Sequence, residues 1–150
     1  MKNKIHNINV VAKEKLPSPK ALKETLPLTN KARKTVLSKR KELMNILDGK
    51  DSRLVVVVGP CSIHDTNLAK DYALRLKDLS KAVEDEFLVL MRVYFEKPRT
   101  TTGWKGLIND PNIDDTFQID KGIHIARSLL IDLNEMGLGV ATEALDPIMP

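Results

Sequence analysis

A single cysteine in 150 residues excludes an intramolecular disulfide framework, and with it the small stapled folds of secreted domains. No apolar run approaches the length of a membrane span, and residues 1–17 lack the apolar stretch of a signal peptide. The expected location is therefore the cytoplasm, with no membrane partner. Aromatic residues make up only 4% of the chain, and none falls among the lysines of the first 41 residues. A nucleic-acid site built on stacking is thereby disfavoured. There is no solenoid-type repeat and no low-complexity tract. The remainder is ordinary soluble composition, 42% hydrophobic and 29% charged, long enough for one modest core.

The net charge of +4 is unevenly distributed. Residues 1–41 hold twelve Lys or Arg against two Glu, a balance of +10, and residues 42–150 hold twelve against eighteen, a balance of −6. Global basicity thus belongs to the N-terminal arm, and a solvated helical surface explains it better than a polyanion partner.

Pro17, Pro19 and Pro27 suggest that residues 1–28 form an extended arm without long helices. Its Ile5, Ile8, Val10 and Val11 suit an edge strand or a neighbouring subunit. From Thr29, Ala32, Val36, Leu43 and Leu47 keep to one side of a helix that Thr29 or Asn30 starts and Gly49 ends. The run LVVVV at 54–58 reads as a strand buried on both faces. Asp65 then caps a helix with Leu68, Tyr72, Leu76, Leu79 and Val83 as its apolar stripe. A second strand is expected over 88–93, followed by a long polar loop to about residue 120. A helix using Ile123, Ala126, Leu130 and Leu133 follows, closed by Gly137, and then a third strand over 140–144. Strand, helix, strand, helix, strand specifies right-handed crossovers and a parallel α/β sheet.

Sites in such folds gather at the carboxyl ends of the strands. Three groups are expected there: the GPCS turn at 59–62, the stretch from Arg92 to Thr100, and Glu143. A guanidinium so late in an apolar strand requires an anion, and the loop beyond it carries Lys97, Arg99, Thr100, Thr101, Thr102, Gly103 and Lys105. Such a loop suits phosphate or carboxylate. The alternative is that Arg92 pairs with a core carboxylate, Glu143 among the candidates, and that the loop is merely solvated. Cys61 reads either as a small apolar filler or as a thiolate nucleophile or metal ligand, with His64 three residues on. No Cys-His-Asn pattern supports the nucleophile. Pro98 holds Lys97 extended, so Lys97 and Arg99 need not point the same way, and one loop could touch two anions. Trp104, the only tryptophan, is expected to anchor its loop by packing, and Asp110-Pro111 marks a turn. His6 and His124 read as structural or surface residues.

Four stretches carry more than pattern: GPCSIHD at 59–65, MRVYFEKPRTT at 91–101, GWKGLINDP at 103–111 and ATEALDP at 141–147. Together they resemble the microbial 3-deoxy-D-arabino-heptulosonate 7-phosphate (DAHP) synthases, of the feedback-regulated type with an N-terminal extension. The resemblance runs from about residue 54 to the end, and Thr102 and Gly139 depart from the pattern. It implies a (β/α)8 TIM barrel, of which this chain would supply an arm and helix (residues 1–50) and the first three strands with two intervening helices (51–150). On that expectation the chain is incomplete at Pro150 and inactive alone, a small open sheet being the alternative. The implied reaction joins phosphoenolpyruvate to erythrose 4-phosphate and releases phosphate, at the head of aromatic amino acid synthesis. A related sugar-acid synthase using phosphoenolpyruvate is the nearest alternative.

The resemblance further implies a divalent metal of the Mn, Fe, Co or Zn class, with Cys61 matching a ligand. Arg92 and Lys97 match phosphoenolpyruvate contacts, while Lys97, Pro98, Arg99 and Thr100 match the erythrose 4-phosphate motif. Lys105 matches a nearby basic position and Glu143 one lining the same mouth. The remaining ligands (a His, a Glu and an Asp) would lie beyond residue 150. A homo-oligomer, dimer or tetramer, and an aromatic amino acid effector are also implied, with ATEALDP closest to tyrosine-sensitive members.

Overall fold

The computed structural model describes residues 8, 10, 13–99 and 102–145. Seven elements follow in chain order: α1 (Pro19–Thr25), α2 (Asn30–Leu47), β1 (Leu54–Val58), α3 (Thr66–Ala82), β2 (Phe87–Arg92), α4 (Ile119–Glu135) and β3 (Gly139–Ala141). The strands form one parallel sheet in the order β1-β2-β3, with Leu54 opposite Phe87 and Leu90 opposite Gly139. The alternation read from the sequence is thus realised as consecutive parallel crossovers.

The arm is not wholly extended. Ser18 accepts the Ala21 amide at 3.2 Å and Pro19 sits in the first turn, so seven residues coil as α1. A proline at a helix start costs nothing, because its missing N–H would have been unpaired there. Thr29 caps α2 and Asp65 caps α3 as expected, Asp65 Oδ1 accepting from Asn67 at 2.7 Å and Leu68 at 3.1 Å. Gly49 and Gly137 follow their helices with φ of +71° and +92°.

The core lies between one face of the sheet and α3 with α4. Val89, Met91, Val93 and Phe95 meet Ala69, Ala73 and Leu76 of α3 and Ala126, Leu129 and Leu133 of α4. The stripe expected for α3 is corrected here: Leu68 and Leu79 are exposed, and the alanines one turn apart let the helix approach the strand closely. On α2, Leu47 is exposed and only Ala32 is fully buried. β1 also departs from expectation. It is half-buried to exposed along its length, because among the described residues it pairs only with β2. β3 ends at Ala141, shorter than expected, and β2 begins and ends one residue early.

α2 lies against α4 and the amino ends of the strands. A Cβ on Gly139 would stand 2.7 Å from Leu90 Cδ2 and 2.9 Å from Lys39 Cγ, so the glycine makes room for the lysine stem. Arg53 ties this end together: it binds Asp51 (2.8 Å) and Glu42 (3.1 Å) and donates to the Glu84 carbonyl (3.2 Å).

Candidate active site

Side chains alternate along β2, and the alternation continues past its end. Val89, Met91, Val93 and Phe95 point to the helices; Leu88, Leu90, Arg92 and Tyr94 share the other side. Arg92 therefore reaches the carboxyl end of the sheet on the face away from α3 and α4.

The turn after β1 closes on this point. A Cβ at Gly59 would collide with the Arg92 carbonyl oxygen, so only glycine allows the turn to lie so near β2. Ile63 is buried, and its amide donates to the Tyr94 carbonyl at 2.7 Å. Between these anchors Cys61 is exposed at the rim. Arg92 Nη2 donates to the Cys61 carbonyl at 3.3 Å, and Lys97 Nζ stands 3.0 Å from Cys61 Sγ. The Lys97 ammonium, by hydrogen bond and by charge, holds the Cys61 thiol below its ordinary pKa; slight burial opposes it and Arg92 assists. Cys61 is thus exposed with an ammonium on its sulfur, surroundings unlike those of a small apolar filler.

The loop beyond β2 is held far more firmly than a polar loop suggests. Glu143 Oε1 accepts from the Phe95 amide at 2.7 Å and the Glu96 amide at 2.6 Å. Glu143 is thus not the partner of Arg92; it staples the exit of β3 to that of β2. Glu96 bridges antiparallel to Gly106, and Lys97 N donates to the Lys105 carbonyl at 3.0 Å. Gly106, at φ +105°, packs against the Phe95 carbonyl so tightly that no Cβ fits. Leu107 and Ile108 enter the core, and Trp104 packs beside them while its Nε1 donates to the Asp110 carbonyl at 2.8 Å. Asp110 is buried, and its carboxylate accepts from Asp115 N at 3.2 Å and Asp114 N at 3.4 Å.

Of the residues singled out in the sequence, Cys61, Arg92 and Lys97 converge on one rim. Pro98, Arg99 and Lys105 are exposed on the same loop, with Arg99 bent back so that its Nε lies 3.5 Å from where a Gly103 Cβ would be. Thr100 lies outside the described residues. His64 is exposed, and among the described residues no three His, Cys, Asp or Glu side chains stand together as a metal cluster. The thiolate-prone sulfur fits one soft ligand of a metal, and only one. Sequence reasoning missed Tyr94, whose ring lies 4.1 Å beneath the Arg92 guanidinium carbon. The signal was its spacing, two residues past Arg92 on the same strand face. It also missed the buried carboxylate of Asp110, hidden in what read as a turn.

Residues 25–150 match the DAHP synthetase I family. A Phe-sensitive phospho-2-dehydro-3-deoxyheptonate aldolase of Escherichia coli K12 is 57% identical over 138 residues, covering 92% of this chain and 39% of the relative. The Tyr-sensitive counterpart from the same organism is 48% identical over 149 residues, 99% of this chain and 42% of the relative. An aldolase of the same name from Amycolatopsis methanolica is 53% identical over 135 residues, 90% of this chain and 66% of the relative. The solved structure of the Francisella tularensis SCHU S4 aldolase superimposes with a TM-score of 0.90 at 50% identity, over 95% of this chain and 42% of that one. The chain thus spans about two fifths of the length of the E. coli and Francisella relatives. No helix among the described residues is long and apolar enough to cross a membrane.

Proposed function

The chain belongs to the DAHP synthetase I family, and from that premise we propose that the protein carrying it condenses phosphoenolpyruvate with erythrose 4-phosphate to DAHP and inorganic phosphate. The observation that carries the reading is the convergence of Arg92, Lys97 and Cys61 from two strand ends on one rim. Both substrates are phosphorylated anions, and guanidinium with ammonium is the pair that recognises such groups.

Carbon 3 of the enol attacks the aldehyde carbon, forming the new carbon–carbon bond; water then adds at carbon 2, and phosphate leaves with the carbon 2–oxygen electrons. Arg92 and Lys97 bind phosphoenolpyruvate, neutralise its charge and turn carbon 3 toward the aldehyde. Lys97, Pro98, Arg99 and Thr100 receive the phosphate end of erythrose 4-phosphate, with Lys105 adding positive charge nearby. Glu143 sets the path of the loop that carries these groups. Cys61 would hold a divalent metal of the Mn, Fe, Co or Zn class as one thiolate ligand, and such a metal supplies Lewis acidity at the aldehyde oxygen. No covalent bond to Cys61 is required.

Residues 51–150 form the first part of the catalytic barrel, and residues 1–50 an extension serving regulation and assembly into a dimer or tetramer in the cytoplasm. The effector is an aromatic amino acid. The higher identity to a Phe-sensitive relative than to a Tyr-sensitive one puts phenylalanine beside the tyrosine expected from ATEALDP. The test is phosphate release by the intact gene product with manganese and both substrates, and with each alone. Release requiring both is the expected result; release from phosphoenolpyruvate with an aldehyde other than erythrose 4-phosphate, or none at all, would overturn the assignment.

A further inference from the structure

Arg92 is an unusually placed cation. Among the described residues its Nε is buried without a hydrogen-bond partner, and its Nη2 donates to the Cys61 carbonyl at 3.3 Å. The rim it shares also holds Cys61, whose thiol it helps to keep below its ordinary pKa, and the like charge of Lys97 on the Cys61 sulfur. The Tyr94 ring lies beneath Arg92, the ring centroid 4.1 Å from the guanidinium carbon.

We propose that Tyr94 is a positioning residue, whose ring face holds the Arg92 guanidinium flat at the rim so that its terminal Nη groups meet an anion. The inference rests on the synthase reading and adds to it a residue that acts through Arg92. A guanidinium presents donors around its edge and none on its faces, so stacking fixes the plane without consuming a donor. A carboxylate partner would orient Arg92 equally well, but would neutralise it and compete with the substrate carboxylate for the same N–H groups. Glu143, the carboxylate the sequence offered for that part, instead accepts from the amides of Phe95 and Glu96 and from the Thr142 hydroxyl. Tyr94 is itself well held: its flanking residues Val93 and Phe95 are buried, and its carbonyl accepts from Ile63. Its hydroxyl makes no hydrogen bond among the described residues, so the ring, not the oxygen, acts on Arg92.

The experiment uses the intact gene product and steady-state kinetics for both substrates, with Phe, Leu, Trp and a series of ring-fluorinated phenylalanines at position 94. Fluorination drains the ring's negative face while nearly preserving its shape, so a residue that only packs would not respond. Tyr94→Phe is expected to stay within about twofold of wild type, Tyr94→Leu to raise KM for phosphoenolpyruvate about tenfold, and each added fluorine to raise it further above the Phe value. KM for erythrose 4-phosphate is expected to stay within about twofold throughout. Should Tyr94→Leu not fold, Tyr94→Trp and the fluorinated series carry the test without it. A flat response to fluorination, a Phe variant as impaired as Leu, or an equal rise in both KM values would overturn the proposal. An inactive wild type would sink the synthase reading and this inference together, whereas an active wild type with an indifferent ring would sink the inference alone.

Discussion

Glu143 offers the sharpest test of how the rim is built. Its one oxygen Oε1 takes two main-chain N–H groups, at 2.7 and 2.6 Å, from consecutive residues just before Lys97. Hydrogen bonds to a charged acceptor contribute about 1.5–3 kcal/mol each, and two that share an oxygen contribute less than twice that. Glu143 is only half-buried, which lowers the figure further; a loss of about 2 kcal/mol on Glu143→Ala is the reasoned value. If the loop opens locally, that loss accelerates amide exchange at Phe95 and Glu96 by roughly thirtyfold, at 1.4 kcal/mol per factor of ten. Glu143→Gln keeps a carbonyl acceptor and is expected to lose about half as much free energy. The assay is hydrogen exchange on the intact gene product, read on peptides spanning residues 93–98, with peptides from α3 as the internal reference. Turnover falls in parallel, because the loop that Glu143 fixes delivers Lys97. Exchange at these two amides unchanged within about threefold in Glu143→Ala would refute the stapling argument outright.

Two further outcomes follow from the charges. Alkylation of Cys61 by iodoacetamide in metal-free protein should show its rate inflection below that of an ordinary free thiol, and Lys97→Met should move it upward, since the ammonium at 3.0 Å is what favours the thiolate; an inflection indifferent to Lys97 would contradict the site. At the other end of the strands, burial pushes the Glu42 carboxyl up, but Lys39, Ser38 and Arg53 outweigh it and leave it below its ordinary value. A depressed carboxyl contributes stability that is present above its unfolded pKa and lost as pH falls through the folded one. Urea unfolding between pH 6 and pH 3 should therefore show stability falling in the acid part of that range, less steeply in Arg53→Met; identical slopes would count against the clamp.

The fold's outline was legible because β2, α3 and α4 each have unambiguous period or length, and because Thr29, Asp65, Gly49 and Gly137 punctuate them. What misled was context. LVVVV reads as a buried strand, yet burial belongs to a strand's neighbours, and β1 has one only on the β2 side among the described residues. Leu68 and Leu79 fit a helical stripe as well as Ala69 and Ala73 do; only docking against β2 favours the smaller residues. The prolines of the arm read as breakers, although one of them starts α1. At the rim, Cys61, Arg92 and Lys97 could be found from strand ends and charge. Glu143's actual partners could not, because main-chain amides leave no mark on residue identity.

β2 interleaves two sets of side chains, one contacting the helices and one leading to Arg92 and Tyr94. Fold and chemistry are thus written in alternate letters of a single word. Inserting or deleting one residue between 87 and 92 would exchange the two sets, sending the guanidinium into the core and valine and phenylalanine to the rim. Point substitutions can erode either set separately, but a frame slip of one residue destroys both at once. This stretch should therefore tolerate changes of size far better than changes of length.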